Sequence, residues 1–74
     1  MNTVQVRVNP PYIKLEQFLK FAGAAGSGGQ AKVIILEGLV KVNGEVCTMR
    51  GKKLHGGEKV QYNTESFECV INDS

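Results

Sequence analysis

The first residues alternate polar and apolar without a break. Thr3, Gln5 and Arg7 interleave with Val4, Val6 and Val8. A period of two puts the three valines on one face, so residues 3–8 are predicted to form a half-buried strand. Asn9-Pro10-Pro11 ends it, because proline lacks the ladder donor and restricts the residue before it. The period then changes. Leu15, Phe18, Leu19 and Ala22 fall at i, i+3, i+4 and i+7, which predicts a helix from about Lys14 to Ala22. So short a helix holds only when packing supports it.

Small residues fill the stretch from Gly23 to Gly29. Within it, Ser27 and Gln30 have the spacing of a capping box, with Ser27 as N-cap and Gln30 reaching back. The second helix turns Ala31, Ile34 and Ile35 inward, and Val33 and Leu36 flank that face. Glu37-Gly38 closes it, glycine supplying the left-handed terminal residue. Leu39 to Val46 then alternates around Asn43-Gly44. Asn-Gly suits the two positive φ angles of a type I′ turn, so this is a hairpin. Arg50 to Lys53 reads as a basic loop and His55-Gly56-Gly57 as a turn. Lys59–Tyr62 and residues 66–71 read as strands, and the last four residues are expected to fray. The expected fold class is α+β. Two short helices pack on a small, mainly antiparallel sheet of about four to five strands, in a single domain over residues 1–74.

Length agrees with that economy. A chain of 74 residues and 8.0 kDa exposes roughly 4,500 Å² when folded and buries about 60% of its extended surface. That supports one thin, two-layer core and excludes a Rossmann unit or a two-lobed enzyme. The net charge of +2 says little, but its distribution says more. From Lys14 to Lys53 there are seven bases and three acids, a segment charge of +4; the remainder of the chain carries −2. Chain order brings most of these bases onto the two helices, the hairpin and the loop after it. They are therefore expected to form one basic face. Such bases are often merely solubilising, but clustered they can bind a phosphate backbone.

Other chemistry finds little support. Gly26-Ser27-Gly28-Gly29-Gln30-Ala31 matches a loose dinucleotide fingerprint, but a helix precedes it where a strand is required. No lysine followed by Ser or Thr completes a phosphate-binding loop. Two distant cysteines, Cys47 and Cys69, and one histidine, His55, do not supply the four ligands of a metal site. No nucleophile has a base and an orienting group. No enzyme activity, metal or cofactor is therefore expected. The two cysteines suit reduced thiols. Neither a signal-peptide pattern nor a membrane-length apolar run occurs, so a cytoplasmic protein without membrane association is expected.

The order of motifs resembles a known family. Lys14-Leu15-Glu16-Gln17-Phe18-Leu19, Ser27-Gly28-Gly29-Gln30-Ala31-Lys32 and Glu37-Gly38-Leu39-Val40-Lys41-Val42-Asn43-Gly44 are similar to the RNA-binding domain named after ribosomal small-subunit protein S4. Its helix-helix-hairpin core is also called the alpha-L motif. Arg50-Gly51-Lys52-Lys53-Leu54 and Gly57-Glu58-Lys59-Val60 fit that domain's end. The likeness covers residues 13–62, with strands 3–8 and 66–71 completing the sheet, and is strongest to small stand-alone bacterial members. It implies a non-enzymatic protein that grips structured RNA, ribosomal or transfer RNA, at or near the ribosome; the oligomeric state is left open by the sequence, with a monomer expected. Carried over, the RNA-binding residues are Lys14, Gly29, Gln30, Lys32, Lys41, Arg50, Lys52 and Lys53. One departure matters. Many members have Arg directly after the Ser that opens the second helix, and this chain has Gly28, which removes a bidentate phosphate ligand. The alternative is a protein-interaction module on a ribosome-associated or replication partner, using exposed Phe21, Val33 and Leu36.

Overall fold

The alternation of the first strand holds for Val6 and Val8, which are buried while Thr3, Gln5 and Arg7 stay exposed; Val4, near the strand's start, departs from it and is 53% exposed. This is seen in a computed structural model, which describes residues 3–72. The elements run β1 (Thr3–Val8), β2 (Ile13–Lys14), α1 (Leu15–Phe21), α2 (Gly28–Leu36), β3 (Val40–Val42), β4 (Glu45–Val46), β5 (Lys53–Leu54), β6 (Lys59–Tyr62) and β7 (Glu65–Ile71).

Five strands form one sheet in the order β1-β7-β6-β3-β4. Three of its four pairings are antiparallel, and β1 runs parallel to β7. That parallel pair joins the first and last strands, so the rest of the chain serves as the long crossover a parallel pair demands. Its register sets Val4 beside Phe67, Val6 beside Cys69 and Val8 beside Ile71, apolar facing apolar. The register also keeps Ile71, one of the four residues expected to fray, inside β7; residues 73 and 74 lie outside the described residues. The hairpin turns as its Asn-Gly requires, with φ of 53° at Asn43 and 85° at Gly44.

The two helices cover one face of this sheet. Leu15, Phe18 and Leu19 of α1 and Ala31, Ile34 and Ile35 of α2 are buried against Val40, Val42, Val60, Phe67 and Cys69. Burial pushes the Cys69 thiol up to about 11, with help from the negative charge of Glu58 and against a hydrogen bond from the Gly56 backbone. At neutral pH it stays a thiol, which suits a core residue and not a nucleophile.

A small second sheet was not foreseen. Residues 50–53 were expected to be a loop throughout, yet Lys53 and Leu54 pair antiparallel with Lys14 and Ile13. Leu54 is fully buried. This two-residue ladder ties the basic loop to the start of α1 and so positions the site described next.

Candidate nucleic-acid interface

Helix α1 begins without a capping side chain. Its N-cap is Lys14, in extended conformation, and no side chain bonds the first turn. The loop after the hairpin does this work with its backbone. The Leu15 N–H donates to the Lys52 carbonyl at 2.8 Å, and the Glu16 N–H donates to the Arg50 carbonyl at 3.2 Å. Two donors that every helix leaves open at its start are thus satisfied. The same contact drapes Arg50, Lys52 and Lys53 over the head of α1.

The β2–β5 ladder places Lys14 directly opposite Lys53. Like charges in that position repel. Part of the repulsion is relieved by Tyr12, whose ring centroid lies 4.9 Å from the Lys53 Nζ. Tyr12 is itself steadied by the tilted ring of His55, centroid to centroid 5.9 Å. The hydrogen bonds made by carboxylates go elsewhere: Glu58 accepts from the His55 and Gly56 N–H groups, and Glu68 accepts from Gln5. Two distant stretches of sequence, one carrying Lys14 and the other Arg50, Lys52 and Lys53, are therefore brought together, and Lys52 also lines a depression beside the hairpin with Asn43, Glu45, Cys47 and Met49.

Helix α2 starts as its sequence requires. Ser27 is extended, and its Oγ accepts from the Gln30 N–H at 3.2 Å. Gln30 reaches back, but its Oε1 accepts from the Gly26 N–H at 2.8 Å, one residue before the cap. That oxygen is committed to the fold. Of the expected contacts here, Gly29 and Lys32 are exposed and Gln30 keeps only its amide nitrogen free. No heavy atom lies within 4 Å of a Cβ built on Gly28, so that position opens onto solvent.

A groove of about 320 Å³ separates the two helix faces, lined by Glu16, Gln17, Lys20, Gly28, Gly29 and Lys32. Lys20 thereby joins Lys32 across the groove. Lys20 is outside the family pattern, and helical spacing alone does not set it beside Gly28. Only the packing of α1 on α2 does.

Lys41 does not join this patch. In β3 the alternation buries Val40 and Val42 under the helices and turns Lys41 to the opposite face. There it lines a shallow depression with Leu39, Gln61, Asn63 and Glu65. The expectation of a single basic face including the hairpin is corrected to that extent. The signal was present in the sequence, since Val-Lys-Val in a strand cannot point all three side chains one way.

Among the described residues, no helix is long and apolar enough to cross a membrane. No group of three or more His, Cys, Asp or Glu there could hold a metal ion.

Comparison with known proteins matches residues 6–70 to the S4 domain. The YbcJ protein of Escherichia coli (strain K12) is 40% identical over 60 residues, covering 81% of this chain and 86% of that protein. The probable ribosome maturation protein RlbA of Bacillus subtilis (strain 168) is 41% identical over 67 residues, covering 90% of this chain and 94% of its own. The solution structure of E. coli YbcJ, described as revealing an alpha-L motif involved in RNA-binding, superposes with a TM-score of 0.66 at 37% identity. It covers 92% of this chain and 85% of that one.

Proposed function

The chain belongs to the S4-domain family, and from that premise we propose that it is a non-enzymatic protein that grips structured RNA, ribosomal or transfer RNA, in the cytoplasm. One observation carries the reading: backbone contacts bring the stretch bearing Arg50, Lys52 and Lys53 to the head of α1, with Lys14 held opposite Lys53. Holding like charges together costs stability, and an RNA phosphate would relieve that cost. The gripping surface comprises this patch together with Lys20, Gly29, the Gln30 amide nitrogen and Lys32 across the groove. Contacts to backbone and shape dominate, as A-form RNA offers little base edge to a rigid basic surface. The relatives' descriptions as RNA-binding and as a ribosome maturation protein support the choice of RNA and of a ribosomal setting.

Fluorescence anisotropy with a ribosomal RNA hairpin across a salt series tests this directly. Each phosphate neutralised contributes roughly 0.7–0.9 to the slope of log K against log salt. With five or six contacts, affinity falls by roughly 10²–10³-fold between 50 and 200 mM salt. Absence of binding at low salt overturns the proposal.

Gly28→Arg is expected to strengthen binding. The position is open, sits in the first turn of α2 and would regain a bidentate phosphate ligand. We expect roughly a three- to tenfold gain in affinity and a salt slope steeper by ~0.7–0.9.

A second reading rests on Val33 and Leu36, each more than half exposed on the outer face of α2. They would suit a protein partner that is ribosome-associated or part of replication. Apolar contacts are not weakened by salt, so retention of a partner at high salt after nuclease treatment favours that reading.

A further inference from the structure

Phe21 is the last residue of α1, and its side chain is 65% exposed. The buried stripe of the helix uses Leu15, Phe18 and Leu19, so the Phe21 ring lies off the core. It stands where two grooves meet. One, of about 310 Å³, is lined by Arg7, Asn9, Tyr12, Ile13 and Phe21 among others. The other, of about 480 Å³, is lined by Ile13, Gln17, Lys20 and Phe21. The second shares Gln17 and Lys20 with the groove at the start of α2. The three grooves thus follow one another, each sharing lining residues with the next, from Arg7 on β1, past Phe21, to Lys32 on α2, and together are called the trough.

The trough has an apolar floor and cations along its length. Arg7, Lys20 and Lys32 line it, and among the described residues Glu16 is the only carboxylate that does. Tyr12 is already engaged by Lys53 and His55. Phe21 is in no aromatic or cation pair among the described residues. A bare ring between cations suits a partner with flat apolar faces joined by phosphates. Base–aromatic stacking has that chemistry and needs no base-specific hydrogen bonds.

Resting on the RNA-binding reading above, we propose that this trough takes an unpaired nucleotide next to the structured part of the bound RNA. Its base stacks on Phe21. The phosphates on one side run to Lys20 and Lys32, and those on the other run to Arg7. The protein would then read a junction between helix and single strand, and not duplex alone.

The test compares two RNA hairpins, one blunt and one with a short unpaired flank, by anisotropy titration. Wild type is expected to bind the flanked hairpin more tightly. Phe21→Leu keeps an apolar side chain but loses the flat face, and should lower affinity for the flanked RNA by roughly 5- to 150-fold. Affinity for the blunt hairpin and the thermal midpoint should not move, and Phe21→Tyr should restore tight binding. An unchanged affinity of Phe21→Leu for the flanked RNA overturns the inference, as does an equal loss for both RNAs. Either result leaves the RNA-binding reading standing. If wild type binds neither hairpin at low salt, that reading falls and this one falls with it.

Discussion

Reversing two charges, in Lys32→Glu combined with Arg50→Glu, lowers affinity for structured RNA by about a hundredfold or more. Each lost phosphate contact near 0.1 M salt removes roughly a factor of ten through the counterions no longer released. Each new carboxylate adds repulsion on top. The slope of log K against log salt should become shallower by about 1.4–1.8. The two sites lie on separate parts of the fold: Arg50 caps the head of α1 through its carbonyl, and Lys32 lines the groove at the start of α2. Both side chains are exposed, so stability should change by no more than about 0.5 kcal/mol. Backbone capping by Arg50 survives the substitution, which separates a binding defect from an unfolding one. Lys41→Glu is the internal comparison. It makes the same charge change on the far face of the sheet, and a loss of less than about threefold is expected, the remnant of long-range attraction. An equal loss at Lys41 would mean that net charge, not a shaped surface, governs binding.

Much of this architecture is legible in local patterns. The burial of Val6 and Val8, the Leu-Phe-Leu stripe, the Ser27 cap and the Asn43-Gly44 turn each rest on interactions within a few residues and have the expected form, whereas Gln30 bonds Gly26 in place of Ser27 and Val4 is exposed. What local pattern does not reveal is tertiary in origin. The β2–β5 ladder is two residues long, too short for any periodicity, and exists because Leu54 is drawn into the core. Helix α1 lacks a capping side chain because a loop some 35 residues later supplies carbonyls, and no sequence window spans both. Lys20 and Phe21 gain their places from helix packing and from the trough beneath β1. Lys41 is the opposite case: its exclusion follows from period-two alternation alone, since the segment charge of +4 is spread over both faces of the fold.

The β2–β5 ladder also predicts that core and surface fail together. Leu54→Ala should destabilise the protein by about 2–5 kcal/mol, the range for truncating a buried leucine. A chain of 74 residues has roughly 4–11 kcal/mol in total. One substitution thus removes from a fifth of the stability to all of it, and lowers the thermal midpoint by about 8–40 °C. Leu54 has no exposed surface, and it lies opposite Ile13, beside the Lys14–Lys53 pair. Its packing holds β5 in place. β5 in turn holds the Arg50 and Lys52 carbonyls over the first turn of α1. Truncation should therefore weaken RNA binding even at temperatures where circular dichroism shows the chain folded, because the bases at the head of α1 lose their fixed spacing. Leu54→Met, nearly equal in volume, should cost less than about 1.5 kcal/mol and keep affinity within about twofold. If Leu54→Ala melts lower but binds RNA as tightly as wild type while folded, the ladder serves stability alone. The basic side chains would then reach the phosphates by their own flexibility.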